Sequence, residues 1–407
     1  MNRKFTVITA LILLAASLLA ACDAINNPEP TAATEPTVAV AVATLTETPL
    51  PAPTDTPTTT PTPTLAPTAT ATPTPLISGP VNFPANVNPL TGQVVADASL
   101  LDRNPVMIKV ANFPRGLRPH SGLSWADLVF EHYMGAGATR FSAIYYGQEP
   151  PEVGPVRSAR LIDAQLGVAY NTLFAFASAD AQVYSRVITA LGDRAISESQ
   201  ATCPALCRTG NGDVNSVRGY PQQLTDFAEQ QRNIVPSRPN LNGLLFDPTA
   251  PESGGKSGTK VTVMYSISTI SEWQYDAASG LYLRFIESVD ANGVVTIVPL
   301  TDALTGDQLT AANVIILFAE TLELTPTLHD FTILGNTTGR RALLFRDGQV
   351  YELIWRSQGP QQPIQFFTLA GDLMPLKPGN TWIHVVGVSS SVDELNPGEF
   401  EVFNFLP

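Results

Sequence analysis

The chain has 407 residues, and its 23 lysines and arginines against 36 aspartates and glutamates give a net charge of −13. Loss of Arg3 and Lys4 with a leader would leave 21 basic residues, so the mature chain is more acidic still. Such a balance argues against nucleic acid as a partner and against general adhesion to anionic lipid, while leaving room for a local basic site.

The N-terminus points to export. Arg3 and Lys4 form a positive start, residues 5–18 are apolar, and Leu19-Ala20-Ala21-Cys22 follows. The apolar run has the length of a secretory signal and is short for a membrane-spanning helix. The LAAC tetrapeptide resembles the bacterial lipobox, which implies cleavage after residue 21 and lipidation of Cys22; a simple signal anchor is the alternative. Each buried methylene of an acyl chain contributes about 0.8 kcal/mol, so a multiply acylated cysteine holds firmly to a membrane. Residues 22–79 read as a lipidated cysteine and a tether. Between residues 28 and 75 stand 12 prolines and 17 threonines, with no Lys, Arg, Gly or aromatic residue. This composition cannot bury a core and favours extended polyproline II, reaching on the order of 150 Å at about 3.1 Å per residue.

The next stretch, residues 80–248, reads as an α/β-type domain. Residues 106–110 form an apolar run expected as a buried strand. RPHSGLSWAD then reads as a loop entering a helix over residues 127–133, with Ser124 and Asp127 spaced as a capping box. Gly135 and Gly137 break that helix, and residues 140–146 alternate as a strand. Residues 161–170, 181–191 and 222–231 carry helical patterns, with a strand over 172–177. Arg140, Arg157 and Arg160 crowd together in a sparsely charged chain. Arginine keeps its charge and presents a planar fork matched to phosphate or carboxylate. If VRSAR begins a helix, Arg157 and Arg160 share a face. The bland alternative pairs these arginines with Asp127, Glu131 or Asp163 in a structural network. His120 and Ser121, presented by a loop fixed by Pro119 and Gly122, complete the candidate anion-binding set.

Beyond the lipidated residue, Cys203 and Cys207 remain, and in an oxidising compartment an isolated pair this close predicts a disulfide. Zinc would need two further ligands, and redox exchange prefers two intervening residues where TCPALC has three. The second domain, residues 249–407, is a run of short β segments separated by turns, with Asp347-Gly348 a hairpin signal. It reads as a sandwich or barrel-like module, with the tail after residue 389 laid on the surface. The fold class expected for the whole is α+β, an α/β-type sheet domain followed by a mainly β one.

NPLTGQ at residues 88–93, RPHSGLSWADLVFE, GATRF and GPVRSAR, with LFRDGQVYELIWR and LKPGNTWIHVV later, together resemble the YerB-type bacterial lipoproteins. The resemblance covers most of residues 88–388. It implies membrane anchoring and a two-domain extracytoplasmic body, and it implies no established reaction. The expected role, resting on the arginines, is binding, with an anionic envelope component or a partner protein held by Arg157, Arg160 and Arg140. The alternatives are an envelope enzyme on a phosphate-bearing or glycan substrate, with His120 as acid or base, and a structural scaffold. No GxSxG elbow, Walker A run, GxGxxG or metal-ligand spacing is present, so neither metal nor cofactor is expected.

Overall fold

The computed structural model describes residues 77–210 and 212–406. The leader, Cys22 and nearly all of the tether lie outside the described residues.

Two sheets carry the architecture. The larger has 11 strands. Five come from the first half: β1 (Val106–Ala111), β2 (Leu128–Gly135), β3 (Ala138–Tyr145), β4 (Leu173–Phe176) and β5 (Ala195–Ser197). They stand in the order β2-β3-β1-β4-β5, and β2 continues directly into strands of the second half. The junction is a parallel pairing of β2 with Thr381–Gly387, in the register Leu128↔Thr381 to His132↔Val385. Strands from both sides of residue 248 thus share one sheet.

Alternate residues of these strands project to opposite faces. On one face Phe130, Ile144, Ile315 and Val385 bury against helices α1 (Leu161–Ala169) and α2 (Ala181–Leu191). On the other, Val129, Phe141, Ile316 and Trp382 meet Val261, Val263 and Trp273 of the second sheet and Leu224 of helix α3 (Pro221–Arg232). The second sheet runs Val295–Pro299, Leu281–Val289, Thr269–Asp276, Lys260–Ser266, Glu399–Phe403, Ser391–Asn396. The fold is α+β with a β-rich second half, as the sequence predicts.

Three expectations require correction. Residues 127–133 are not helical. LVFEHYMG is a strand flanked by sheet neighbours and nearly buried on both faces, so it lacks the alternation that marks a half-exposed strand. Its turn has Ala136 and Gly137 both at positive φ, 52° and 75°, the geometry of a tight two-residue hairpin. VRSAR does not begin a helix either. Arg160 is extended and caps α1, which starts one residue later. The tail is not a surface extension. Glu399–Phe403 pairs in parallel with Lys260–Ser266, with Phe400 and Val402 inward and Glu399 and Glu401 outward. Cys203 and Cys207 are joined in a disulfide.

Candidate anion-binding site

The chemistry concentrates where the carboxyl ends of β1 and β4 meet the start of α1. On the helix-facing side of the sheet, β1 supplies Lys109, β2 His132, β3 Arg140 and Ser142, and α1 Asp163. The Lys109 ammonium donates to Asp163 Oδ1 and Ser142 Oγ, both at 2.8 Å, and lies 2.5 Å from His132 Nε2. All four side chains are buried. Burial holds Lys109 down to about 8 against the opposing pull of Asp163, and burial with the neighbouring ammonium holds His132 well below its ordinary range. His132 is therefore neutral, donating from Nδ1 to the Tyr133 carbonyl at 3.1 Å and accepting at Nε2.

The arginines stand over this base. VRSAR runs extended between β1 and the chain leaving β4. The Arg157 N–H donates to the Lys109 carbonyl at 2.8 Å, and the Ala159 N–H to the Ser178 carbonyl at 2.8 Å. Arg140 Nη1 donates to the Ser158 carbonyl at 2.7 Å, Arg160 Nη1 to the Ala159 carbonyl at 2.8 Å, and Arg157 Nη1 to the Val214 carbonyl at 3.3 Å. Arg160 Nη2 also lies 3.8 Å from Met134 Sδ. The Nε of each arginine is buried without a hydrogen-bond partner among the described residues. Arg140 is only 7 % exposed, and burial, then Arg160 and Arg157, hold its guanidinium down to about 9.

None of the three guanidinium groups forms an ion pair with a carboxylate of the described residues, because the acids proposed as structural partners are committed elsewhere. Asp163 gives Oδ1 to Lys109 and Ser142, and Oδ2 to the Arg160 backbone N–H at 2.6 Å. Asp127 accepts from the Tyr146 and Gly147 N–H groups and from Asn88 Nδ2, and burial raises it to about 6. Glu131 faces the opposite side of the sheet. It pairs there with Arg284 at 2.9 Å and accepts from Ser271, Thr139 and Trp382. Arg284 is itself packed between the rings of Trp273 and Trp382.

His120 and Ser121 are not brought to the arginines. His120 is fully buried against Phe141, with ring centroids 5.3 Å apart, and Phe141 projects from β3 on the face opposite Arg140. Burial, then Arg118, push His120 down to about 3 against a backbone contact at Ala111 that favours the charged ring. Ser121 is tied through its backbone to Gly154, and Asp302 accepts from the neighbouring Gly122 and Ser124 N–H groups. Lys109 escaped the sequence reading, although a lone lysine inside the apolar run VMIKVA was a usable signal. A cavity of about 810 Å³ lies elsewhere, lined in part by Leu343, Val350, Leu353 and Phe400, and contains none of the three arginines.

Among the described residues no helix is long and apolar enough to cross a membrane, and no group of three His, Cys, Asp or Glu side chains is placed to hold a metal. Residues 90–231 match the N-terminal domain, and residues 261–383 the C-terminal domain, of the protein of unknown function DUF3048. The chain is 29 % identical over 311 residues to the candidate lipoprotein YerB of Bacillus subtilis (strain 168), covering 73 % of this chain and 85 % of that one. The crystal structure of Bacillus subtilis YerB superposes with a TM-score of 0.60 at 26 % identity, covering 74 % of this chain and 96 % of that one.

Proposed function

This chain belongs to the YerB-type family that carries the paired DUF3048 N-terminal and C-terminal domains, and from that premise we propose a membrane-anchored extracytoplasmic protein that works by binding an anionic group, offered by the cell envelope or by a partner protein. Anchoring rests on LAAC ending at Cys22 and on the description of its relative as a candidate lipoprotein. In this reading residues 80–248 hold the ligand, and residues 249–407 brace the sheet that carries it.

One observation carries the binding. Arg140, Arg157 and Arg160 are gathered over an internally neutralised Lys109–Asp163 pair, with a buried Nε on each left without a partner among the described residues. Like charges gathered around the buried Arg140 repel, and a bound anion supplies the missing compensation. The first turn of α1, directly after Arg160, adds backbone N–H groups with no acceptor inside the helix.

The test is titration calorimetry of the full chain with inorganic phosphate. Arg157→Ala and Arg160→Ala should fold normally and each lose about 1.5–3 kcal/mol of affinity, the worth of a hydrogen bond to a charged group. Lysine at either position should restore only part of it, for want of the planar fork. Absence of binding by the parent chain would end the reading. Fractionation of a Cys22→Ser chain tests the anchor, which requires release from membranes or an uncleaved precursor.

A further inference from the structure

The charges around the three arginines constrain which anion they take. Four cations meet there, Lys109, Arg140, Arg157 and Arg160. The carboxylates that act on Lys109, Arg140 and Arg160 are Asp163, paired with Lys109, and Asp180, which acts on Arg160. His132, the remaining titratable side chain against this cluster, is neutral. Two positive charges are left in excess. A carboxylate or a phosphodiester carries one negative charge and would leave the second uncompensated. A phosphate monoester carries about −1.5 to −2 near neutral pH and offers three terminal oxygens. Guanidinium groups address such oxygens through parallel N–H donors, and a partnerless Nε remains on each of the three arginines.

Depth points the same way. Arg140 is more than nine-tenths buried, whereas Arg157 and Arg160 are half-buried. A terminal phosphate can enter end-on and reach Arg140 with its ester oxygen outward. A diester inside a polymer would have to bury a substituent on each side to reach as far. Resting on the anion-binding reading above, we infer that this site is built for a terminal, dianionic phosphate monoester, held with Arg140 at its floor and Arg157 and Arg160 at its rim.

The experiment is calorimetry on the full chain with methyl phosphate, dimethyl phosphate, sulfate and acetate at pH 5 and pH 7. The second ionisation of a phosphate monoester falls near pH 6, so methyl phosphate should bind roughly tenfold more tightly at pH 7 than at pH 5. Sulfate, a dianion at both values, should change little and so serves as the control for titration of the protein. Dimethyl phosphate and acetate should bind at least tenfold more weakly than methyl phosphate at pH 7. Arg140→Met removes one excess charge and should shrink the monoester's advantage over the diester. Equal affinity for monoester and diester, or no pH dependence with methyl phosphate, overturns the dianion inference while leaving anion binding standing. No heat with any anion overturns the binding reading itself. A short-chain soluble phosphatidic acid is compared with inorganic phosphate in the same assay. Tighter binding of the lipid assigns a lipid headgroup as the source, and equal or weaker binding assigns a free or polymer-terminal phosphate; both results support a monoester.

Discussion

Replacing Arg140 with methionine should stabilise the anion-free protein and weaken its response to phosphate. Arg140 is held at about 9 against an ordinary 12.5, chiefly by burial and then by Arg160 and Arg157. At about 1.4 kcal/mol per unit, keeping it charged in the fold costs on the order of 5 kcal/mol. For a base with a depressed folded value, the unfolded chain binds the extra proton between about 9 and 12.5. Stability therefore rises with pH across that window, and at pH 7 the whole cost is present. Methionine removes the charge at similar length but forfeits the hydrogen bond to the Ser158 carbonyl, worth about 1.5–3 kcal/mol. The net expectation is a gain of about 2–3 kcal/mol without anion. Phosphate at one hundred times its dissociation constant should stabilise the parent by about 2.7 kcal/mol and the variant far less. Urea unfolding of both full chains at pH 7, with and without phosphate, reads this directly: the variant leads without the anion, and the parent closes the gap with it. A variant about 3–5 kcal/mol less stable in anion-free buffer would show that Arg140 is a paired structural charge and refute the reasoning.

Glu131→Gln should cost about 3–5 kcal/mol, because it leaves the fully buried Arg284 guanidinium without its counterion, and denaturant unfolding measures it. His120 sits near 3 in the fold against 6.5 unfolded, so the neutral form is the folded one. Stability is complete above about pH 6.5 and declines as pH falls toward 3, by up to about 1.4 kcal/mol per unit; a His120→Leu chain should lose that part of the acid slope in pH-dependent unfolding. Cys203→Ser should cost about 2 kcal/mol by the loop-entropy model for so short a loop, and non-reducing mass spectrometry of the parent should find no free thiol at either cysteine.

Much of the fold was legible because its signals were local. Helices α1 and α2 lie within a residue or so of their periodic patterns, and the Asp347-Gly348 turn does join two strands. β2 was misread for a non-local reason. Its LVFEHYM run is buried by helices on one side and by the second sheet on the other, and periodicity reports only a contrast between faces. The tail hairpin failed similarly, since the strand that receives Glu399–Phe403 lies far away in sequence. At the site, the crowding of Arg140, Arg157 and Arg160 was visible in the letters, but the commitments of Asp127, Glu131 and Asp163 were not. Those depend on which face each residue takes. Adjacent residues of a strand point apart, so Glu131 and Arg140 sit on opposite sides of the sheet despite their closeness in the chain. The same rule parts His120, packed on Phe141, from Arg140.

The central claim is that the three arginines hold an anion, and crystals soaked in selenate test it most directly. Anomalous scattering locates that tetrahedral dianion without interpretation of weak density. The account predicts one peak whose oxygens lie within about 2.7–3.2 Å of guanidinium nitrogens of Arg140, Arg157 and Arg160, and no peak there in Arg160→Ala crystals. Peaks confined to other surface arginines, or an unchanged peak in the variant, would contradict it.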